Sequence, residues 1–369
     1  MSGKRENPKC FALRDRRMDG NELTLTVPSP PLPDGEAPRA LPAHLDGLAE
    51  RARGYAEASS SANTRRAYAS DWKHFLKWCR RQQIEAAPDP QVVGLYITAL
   101  ASGSAAPGLK AAAVSTIERK LSALAWNFQQ LGQRLDRADR HIATVLAGIR
   151  NTQGRPPVQK EAVLADDLVA MLEILNRGSL RGLRDRAILL IGFAGGLRRS
   201  EIVGLDVGRD QTEDGRGWVE IKDEGVLVSV RGKTGWGTVE IGRGSSDTTC
   251  PVVALKTWLS LGKIAHGPIF RRVRGDEPGE IGSERLGDRE VARLVKRAAL
   301  AAGVRGDLSV GEREMAFAGH SLRSGLASSA EVDERYVQKQ LRHASAEMTR
   351  RYQRRRDRFR VNLTKAAGL

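Results

Sequence analysis

Apolar positions along the chain follow three different rhythms. Up to about residue 42 they follow none: residues 27–33 are proline-rich, Asp34-Gly35 comes next, and no apolar period is sustained. Residues 1–44 therefore read as a disordered tail, with an arm that orders on a partner as the alternative. From about Leu45 the period becomes helical. With Asn63-Thr64 as the expected N-cap, Tyr68, Trp72, Phe75 and Cys79 recur on one face, and Arg65, Arg66, Lys73, Lys77, Arg80 and Arg81 lie on the other. Asp89-Pro90 starts a second helix with Val92, Val93, Tyr96, Ile97 and Leu100 buried. Ser115-Thr116 opens a third, with Ile117, Leu121, Leu124 and Phe128 inward and Arg119 and Lys120 outward. A fourth runs from Asp139 to Ile149. These four make a compact helical module over residues 45–152. Residues 151–157 (Asn-Thr-Gln-Gly-Arg-Pro-Pro) cannot continue a helix and read as the linker.

Beyond the linker, residues 153–369 form a second domain. Ala165-Asp166-Asp167 precedes the helical stripe Leu168, Met171, Leu172 and Leu175. Asp185-Arg186 leads the most apolar run, which ends at Gly195-Gly196, and Ser200-Glu201 begins a short helix just after Arg198. The period then drops to two. Residues 218–221, 226–230 and 238–241 predict three strands joined as a meander, with Lys233 at the tip of the second hairpin. Helices return after Pro251 and again between Leu286 and Ala302. The fold class is mainly α with a small antiparallel β-meander.

Charge narrows the class. The 369 residues hold 60 Lys+Arg against 44 Asp+Glu, a formal net charge of +16. That excess points to a polyanion such as nucleic acid. A basic helix face alone is more often only solvated surface. No stretch approaches the roughly 20 apolar residues of a spanning helix, so no membrane partner is expected. Three separated cysteines, Cys10, Cys79 and Cys250, imply neither a disulfide framework nor a zinc cluster, and a cytoplasmic, nucleoid-associated location fits.

The chemistry concentrates near the C-terminus. Gly319-His320-Ser321-Leu322-Arg323 sets a histidine and an arginine three apart, on one helical face. Leu341-Arg342-His343 follows, and Tyr352 lies nine positions after His343 among arginines. A tyrosine hydroxyl is a weak nucleophile that needs an electrophile neutralised by cations and help with its proton. Guanidinium matches two phosphate oxygens. The residues suggest tyrosine attack on a phosphodiester. Arg198 at its glycine turn and Lys233 at its hairpin tip each read, taken singly, as exposed surface cations.

Arg198 with Glu201, Lys233 in a hairpin, His320-x-x-Arg323, His343 and Tyr352 occur in the order seen in tyrosine recombinases, and the chain resembles that phage-integrase-like family over residues from about 60 to 365. The resemblance implies an N-terminal helical core-binding, SAM-like DNA-binding domain and a C-terminal catalytic domain. It recasts the basic face, with Arg65, Arg66, Lys73, Lys77, Arg119 and Lys120, as DNA-binding surface around duplex DNA. It implies that Tyr352 attacks the scissile phosphate and keeps the 3′ phosphate, that Arg198 and Arg323 hold the non-bridging oxygens, and that Lys233 protonates the leaving 5′ oxygen. His320 would move the tyrosine proton, His343 would donate to the phosphate, and Glu201 would orient Arg198 or His320. No metal or other cofactor is called for.

The interval from His320 to His343 is 23 residues, about one helical turn shorter than the resemblance leads one to expect, with the loss near residues 328–333. Two other readings stand beside a site-specific recombinase or integrase of a mobile element: a type IB topoisomerase-like enzyme, and a DNA-binding protein that has lost catalysis. The tail after Tyr352 places Phe359 and Leu363 four apart. It folds back on its own domain or, as the resemblance implies, docks on a neighbour to close a homotetramer on DNA. Accessory DNA-bending proteins are admitted as further partners.

Overall fold

The computed structural model describes residues 42–156, 159–209, 212–232, 235–275, 279–350 and 363–368. All but the last three residues of the expected disordered tail fall outside these. The chain divides into two compact units, Met1–Pro157 and Val158–Leu369.

The first unit is helical. A 3-10 turn at Ala43–Leu45 leads into α1 (Asp46–Ala58), followed by α2 (Ala62–Gln82), α3 (Pro90–Ser102), α4 (Val114–Gln130) and α5 (Arg140–Gln153). That is one helix more than the apolar period predicts. The cap of α2 is Ser61 rather than Asn63-Thr64: its backbone is extended and its hydroxyl accepts the Thr64 N–H at 3.1 Å. Asp89 caps α3 by accepting the Gln91 N–H at 2.7 Å. α5 runs on through the first three residues of the expected linker. Gln153 anchors its last turn, donating to the Ala101 carbonyl at 3.0 Å.

Phe75, Tyr96 and Phe128 are fully buried at the centre, with Trp72 edge-on to Phe128 at 4.9 Å. A charge is enclosed as well. Asp71 of α2 is 3% exposed and accepts hydrogen bonds from Arg119 and Lys120 of α4, the latter at 3.0 Å. Lys120 was expected to point outward. Its side chain is only 12% exposed, because the buried carboxylate draws it in.

The second unit is built around α7 (Leu180–Ala194), which α6 (Ala165–Glu173) and α9 (Pro251–Leu261) pack against. Its start differs from the expectation. Ser179 accepts the Gly182 N–H at 3.0 Å, so the helix begins before Asp185-Arg186 and carries them inside. There Asp185 accepts from Arg184 at 2.6 Å and Arg297 at 3.0 Å, and Arg186 donates to the Leu172 carbonyl at 3.0 Å.

After α8 (Arg199–Val203) come β1 (Leu205–Val207), β2 (Gly217–Ile221), β3 (Gly225–Gly232) and β4 (Gly235–Gly242), forming one sheet in that order. The antiparallel meander β2–β3–β4 is as expected, and β1 adds a parallel edge. Val226, Val228, Val230, Val239 and Ile241 point from one face of the sheet into the core. A second hairpin, β5 (Arg271–Arg274) with β6 (Glu280–Arg285), precedes α10 (Asp288–Ala301), α11 (Val310–Ala316), α12 (Ser321–Ser329) and α13 (Glu334–Leu341). A single helical turn at Leu363–Ala366 ends the described chain. No helix among the described residues is long and apolar enough to cross a membrane.

Two glycines of the first unit give a paired test of packing. A Cβ on Gly94 of α3 would lie 2.4 Å from the His141 carbonyl of α5, whereas one on Gly148 meets nothing within 4 Å. Gly94→Ala should destabilise the first unit by about 1–3 kcal/mol, as overpacking does. Gly148→Ala should stabilise it by roughly 0.5–1 kcal/mol by removing glycine from a helix interior. Denaturant unfolding of both variants checks the opposite signs.

Candidate active site

Arg198 owes its position to the end of the buried helix α7. Gly196 takes a positive φ of 54°, Leu197 is fully buried, and Arg198 becomes the N-cap of α8. Its neighbour within that cap is Glu201, 2% exposed. Glu201 Oε2 accepts the Arg198 backbone N–H at 2.9 Å and Oε1 accepts the Arg198 guanidinium at 2.8 Å. A second guanidinium arrives from the far end of the sequence: Arg342 donates to Glu201 Oε2 at 2.6 Å. Burial pushes the Glu201 carboxyl upward. The Arg198 amide, Arg342 and the Arg198 guanidinium outweigh it, so the group titrates below its usual range.

Arg323 lies on α12 and is 1% exposed. One of its terminal nitrogens donates to the Gly196 carbonyl at 2.5 Å and the other to the Leu341 carbonyl. It thus fastens the turn that carries Arg198 to the turn that carries His343. His320 is the N-cap of α12. Partial desolvation, then the guanidiniums of Arg323 and Arg198, lower its pKa.

His343 is 7% exposed, and its Nδ1 lies 2.9 Å from the hydroxyl of Thr349, which is fully buried. Burial, Arg323, Arg198 and His320, in that order, bring its pKa down to about 4. Arg198, His320, Arg323 and His343 therefore share one electrostatic neighbourhood, and both imidazoles are neutral near pH 7.

The short interval between the histidines still holds two helices. α12 ends at Ser329, and Asp333 caps α13 by accepting the Arg335 N–H at 2.8 Å. Lys233 and Tyr352 lie outside the described residues, as do Phe359 and most of the tail. Gly232, next to Lys233, pairs with Gly235, and a Cβ built on it would stand 3.4 Å from Glu201 and 3.8 Å from Arg198. The end of β3 that leads into Lys233 is thus at the cluster. Arg342 and Thr349 carried no role in the sequence reading. Arg342 is 141 positions from Glu201, and no local spacing announces such a pair. Among the described residues, no group of three His, Cys, Asp or Glu is placed to hold a metal.

Residues 161–358 match the phage integrase family, and residues 55–134 match the phage integrase N-terminal SAM-like domain. An integrase/recombinase xerD homolog of Selenomonas ruminantium is 31% identical over 320 residues, covering 83% of this chain and 85% of that protein. The chain belongs to the phage integrase family. Tyrosine recombinase XerC 1 of Ralstonia nicotianae is 31% identical to this integrase-family chain over 253 residues, 64% of this chain and 68% of that one. A lambda integrase dimer solved on a COC′ core site is 18% identical, with a TM-score of 0.49, over 83% of this chain and 93% of that one.

In the SAM-like unit the six basic residues singled out from the sequence do not form one free array. Lys73 and Lys77 are exposed on α2. Arg65 donates to the Ser60 carbonyl at 2.6 Å and Arg66 to Asn63 at 2.5 Å. Arg119, 44% exposed, and Lys120 are tied to Asp71.

The neutral imidazole of His343 has a consequence for stability. Its folded pKa lies near 4 against the 6.5 of an ordinary imidazole. Above that ordinary value neither state binds the proton and stability is full. Between the two values the unfolded chain takes a proton that the folded one refuses, so stability falls with falling pH. His320 acts in the same direction. A His343→Asn variant should lose less stability than the parent between pH 6.5 and 4, measured as the change in Tm across that window.

Proposed function

We propose that the protein is a site-specific DNA recombinase that cleaves and rejoins duplex DNA through a 3′-phosphotyrosyl intermediate, in the integration or excision of a mobile element. The observation that carries this reading is the convergence of His320, Arg323 and His343 on Arg198, which the buried carboxylate of Glu201 holds, beside the hairpin that bears Lys233.

In this scheme the Tyr352 oxygen attacks the scissile phosphorus, and the bond from phosphorus to the 5′ oxygen breaks. His320, held neutral by burial and then by its cationic neighbours, takes the tyrosine proton, and Lys233 supplies the proton that completes the 5′ hydroxyl. Arg198 offsets the charge that builds on the phosphoryl oxygens, with Glu201 fixing its fork. Arg323 acts with Arg198 on the phosphoryl oxygens, while two of its five N–H donors hold backbone carbonyls. If the Thr349 hydroxyl donates to His343 Nδ1, the proton of the neutral ring sits on Nε2, which can donate to a phosphate oxygen. Reversal by a 5′ hydroxyl of a second strand restores the phosphodiester and the free tyrosine. The phosphotyrosyl bond stores the energy of the broken one, so no ATP and no metal enters the scheme.

The units on either side of residue 157 are assigned to DNA binding and to catalysis, and a homotetramer on two duplexes, linked through the tail beyond Tyr352, is the assembly proposed.

The test uses DNA recovered covalently from host genomic fragments incubated with the protein, rebuilt as a nicked duplex. The parent should give a denaturant-resistant adduct. Tyr352→Phe should abolish it with binding nearly intact, and Arg198→Lys should cut its rate by about 100-fold or more, since an ammonium cannot reproduce the bidentate fork. An undiminished adduct in the Tyr352→Phe variant overturns the assignment.

A further inference from the structure

Arg342 is one of four non-glycine residues with a positive φ among those described, at 51°. A side chain in that conformation is disfavoured by the contact of its Cβ with the backbone. Arg342 is the left-handed C-cap of α13, its N–H returning to the Lys339 carbonyl at 3.0 Å, and that turn carries its guanidinium toward the site. The guanidinium reaches across to Glu201 Oε2 at 2.6 Å, and the side chain is only 14% exposed.

The path of the side chain is cleared by two glycines. A Cβ on Gly237 would lie 2.9 Å from Arg342 Cδ, and one on Gly232 would lie 3.6 Å from its terminal nitrogen. Gly232 and Gly237 share a face with Val230 near the turn end of the β3–β4 hairpin. One side chain therefore touches the α13–His343 turn by its backbone, the hairpin by its methylenes and the Arg198–Glu201 pair by its head. The apolar attachment of this segment is small: Ala327, Val337 and Leu341 form a cluster separate from the main core. Much of what holds α13 in place is polar, with Gln340 donating to the Ala194 and Glu240 carbonyls at 2.9 and 3.0 Å.

We propose that Arg342 is a positioning residue for strand cleavage, a latch that sets the His343 turn and the Lys233 hairpin against Arg198 through the shared carboxylate of Glu201. The cleavage role rests on the recombinase reading above, whereas the latch itself is a property of the fold. Without Arg342, Glu201 keeps Arg198 alone, and the His343 turn is left with the Arg323 hydrogen bond to the Leu341 carbonyl as its charged tie to the Arg198 turn.

Arg342→Gly is the informative variant, because the backbone at 342 already has a φ that glycine adopts freely. DNA affinity should stay within about twofold of the parent, while the single-turnover cleavage rate at saturating protein falls by about tenfold or more. Arg342→Lys, which keeps the cation, should recover part of that rate. Combining Arg342→Gly with Glu201→Gln should slow cleavage little beyond the worse single variant, because both break one interaction. Amide exchange should quicken in peptides spanning 198–202, 232–237 and 341–345 and nowhere else. A parental cleavage rate in Arg342→Gly, or losses that multiply in the double variant, overturns the proposal. If the parent itself forms no DNA adduct, the recombinase reading fails. The latch is then decided by exchange alone, and unchanged exchange in Arg342→Gly overturns it.

Discussion

A buried carboxylate with no water to solvate it must be answered by positive charge, and the site of this protein is arranged around that demand. Glu201 lies beneath the surface of the second unit, and two guanidiniums and a backbone amide converge on it. One guanidinium comes from its own helix turn and the other from 141 residues away. Chain segments remote in sequence are thus held to one point by electrostatics as well as by the packing of Leu341 beside Gly196. Removing the carboxylate would leave two cations competing for nothing, and removing either cation would leave the carboxylate half-answered.

Burial, and after it the same concentration of positive charge, governs the two imidazoles. Beside Arg323 and Arg198, a third and fourth cation would be costly, and both His320 and His343 stay neutral. A neutral imidazole can accept a proton at one nitrogen and donate at the other, which an imidazolium cannot. The site thereby keeps fixed positive charge on arginines, which do not titrate, and leaves proton movement to histidines. That division of labour suits a reaction at a phosphodiester, where the charge must be met at all times and protons must move in both directions.

Much of the fold was legible because its signals are local. The spacing of Phe75 and Cys79, the Asp89-Pro90 start of α3 and the alternation Val226, Val228, Val230 each reflect one element facing one core. The misreadings have a common physical cause, polar groups whose partners are distant. Asp185 and Arg186 look like a helix start, yet Arg184, Arg297 and the Leu172 carbonyl satisfy them inside α7. Lys120 looks like surface until Asp71 is seen to hold it. The β5–β6 hairpin buries little beyond Val273 and so leaves almost no alternation to read. At the site, the motifs around Arg198, His320 and His343 could be named from their residue types, but the tie through Arg342 could not.

The central claim is that this cluster is where a DNA strand is broken by Tyr352. It is tested most directly by trapping the covalent complex, digesting both protein and DNA, and sequencing the nucleotide-bearing peptide by mass spectrometry. The account predicts a single modified peptide, with the phosphate of a 3′-terminal nucleotide on Tyr352. A nucleotide on another residue, with the exposed Tyr336 the nearest described alternative in sequence, or a complex whose link is to the 5′ end, would contradict it.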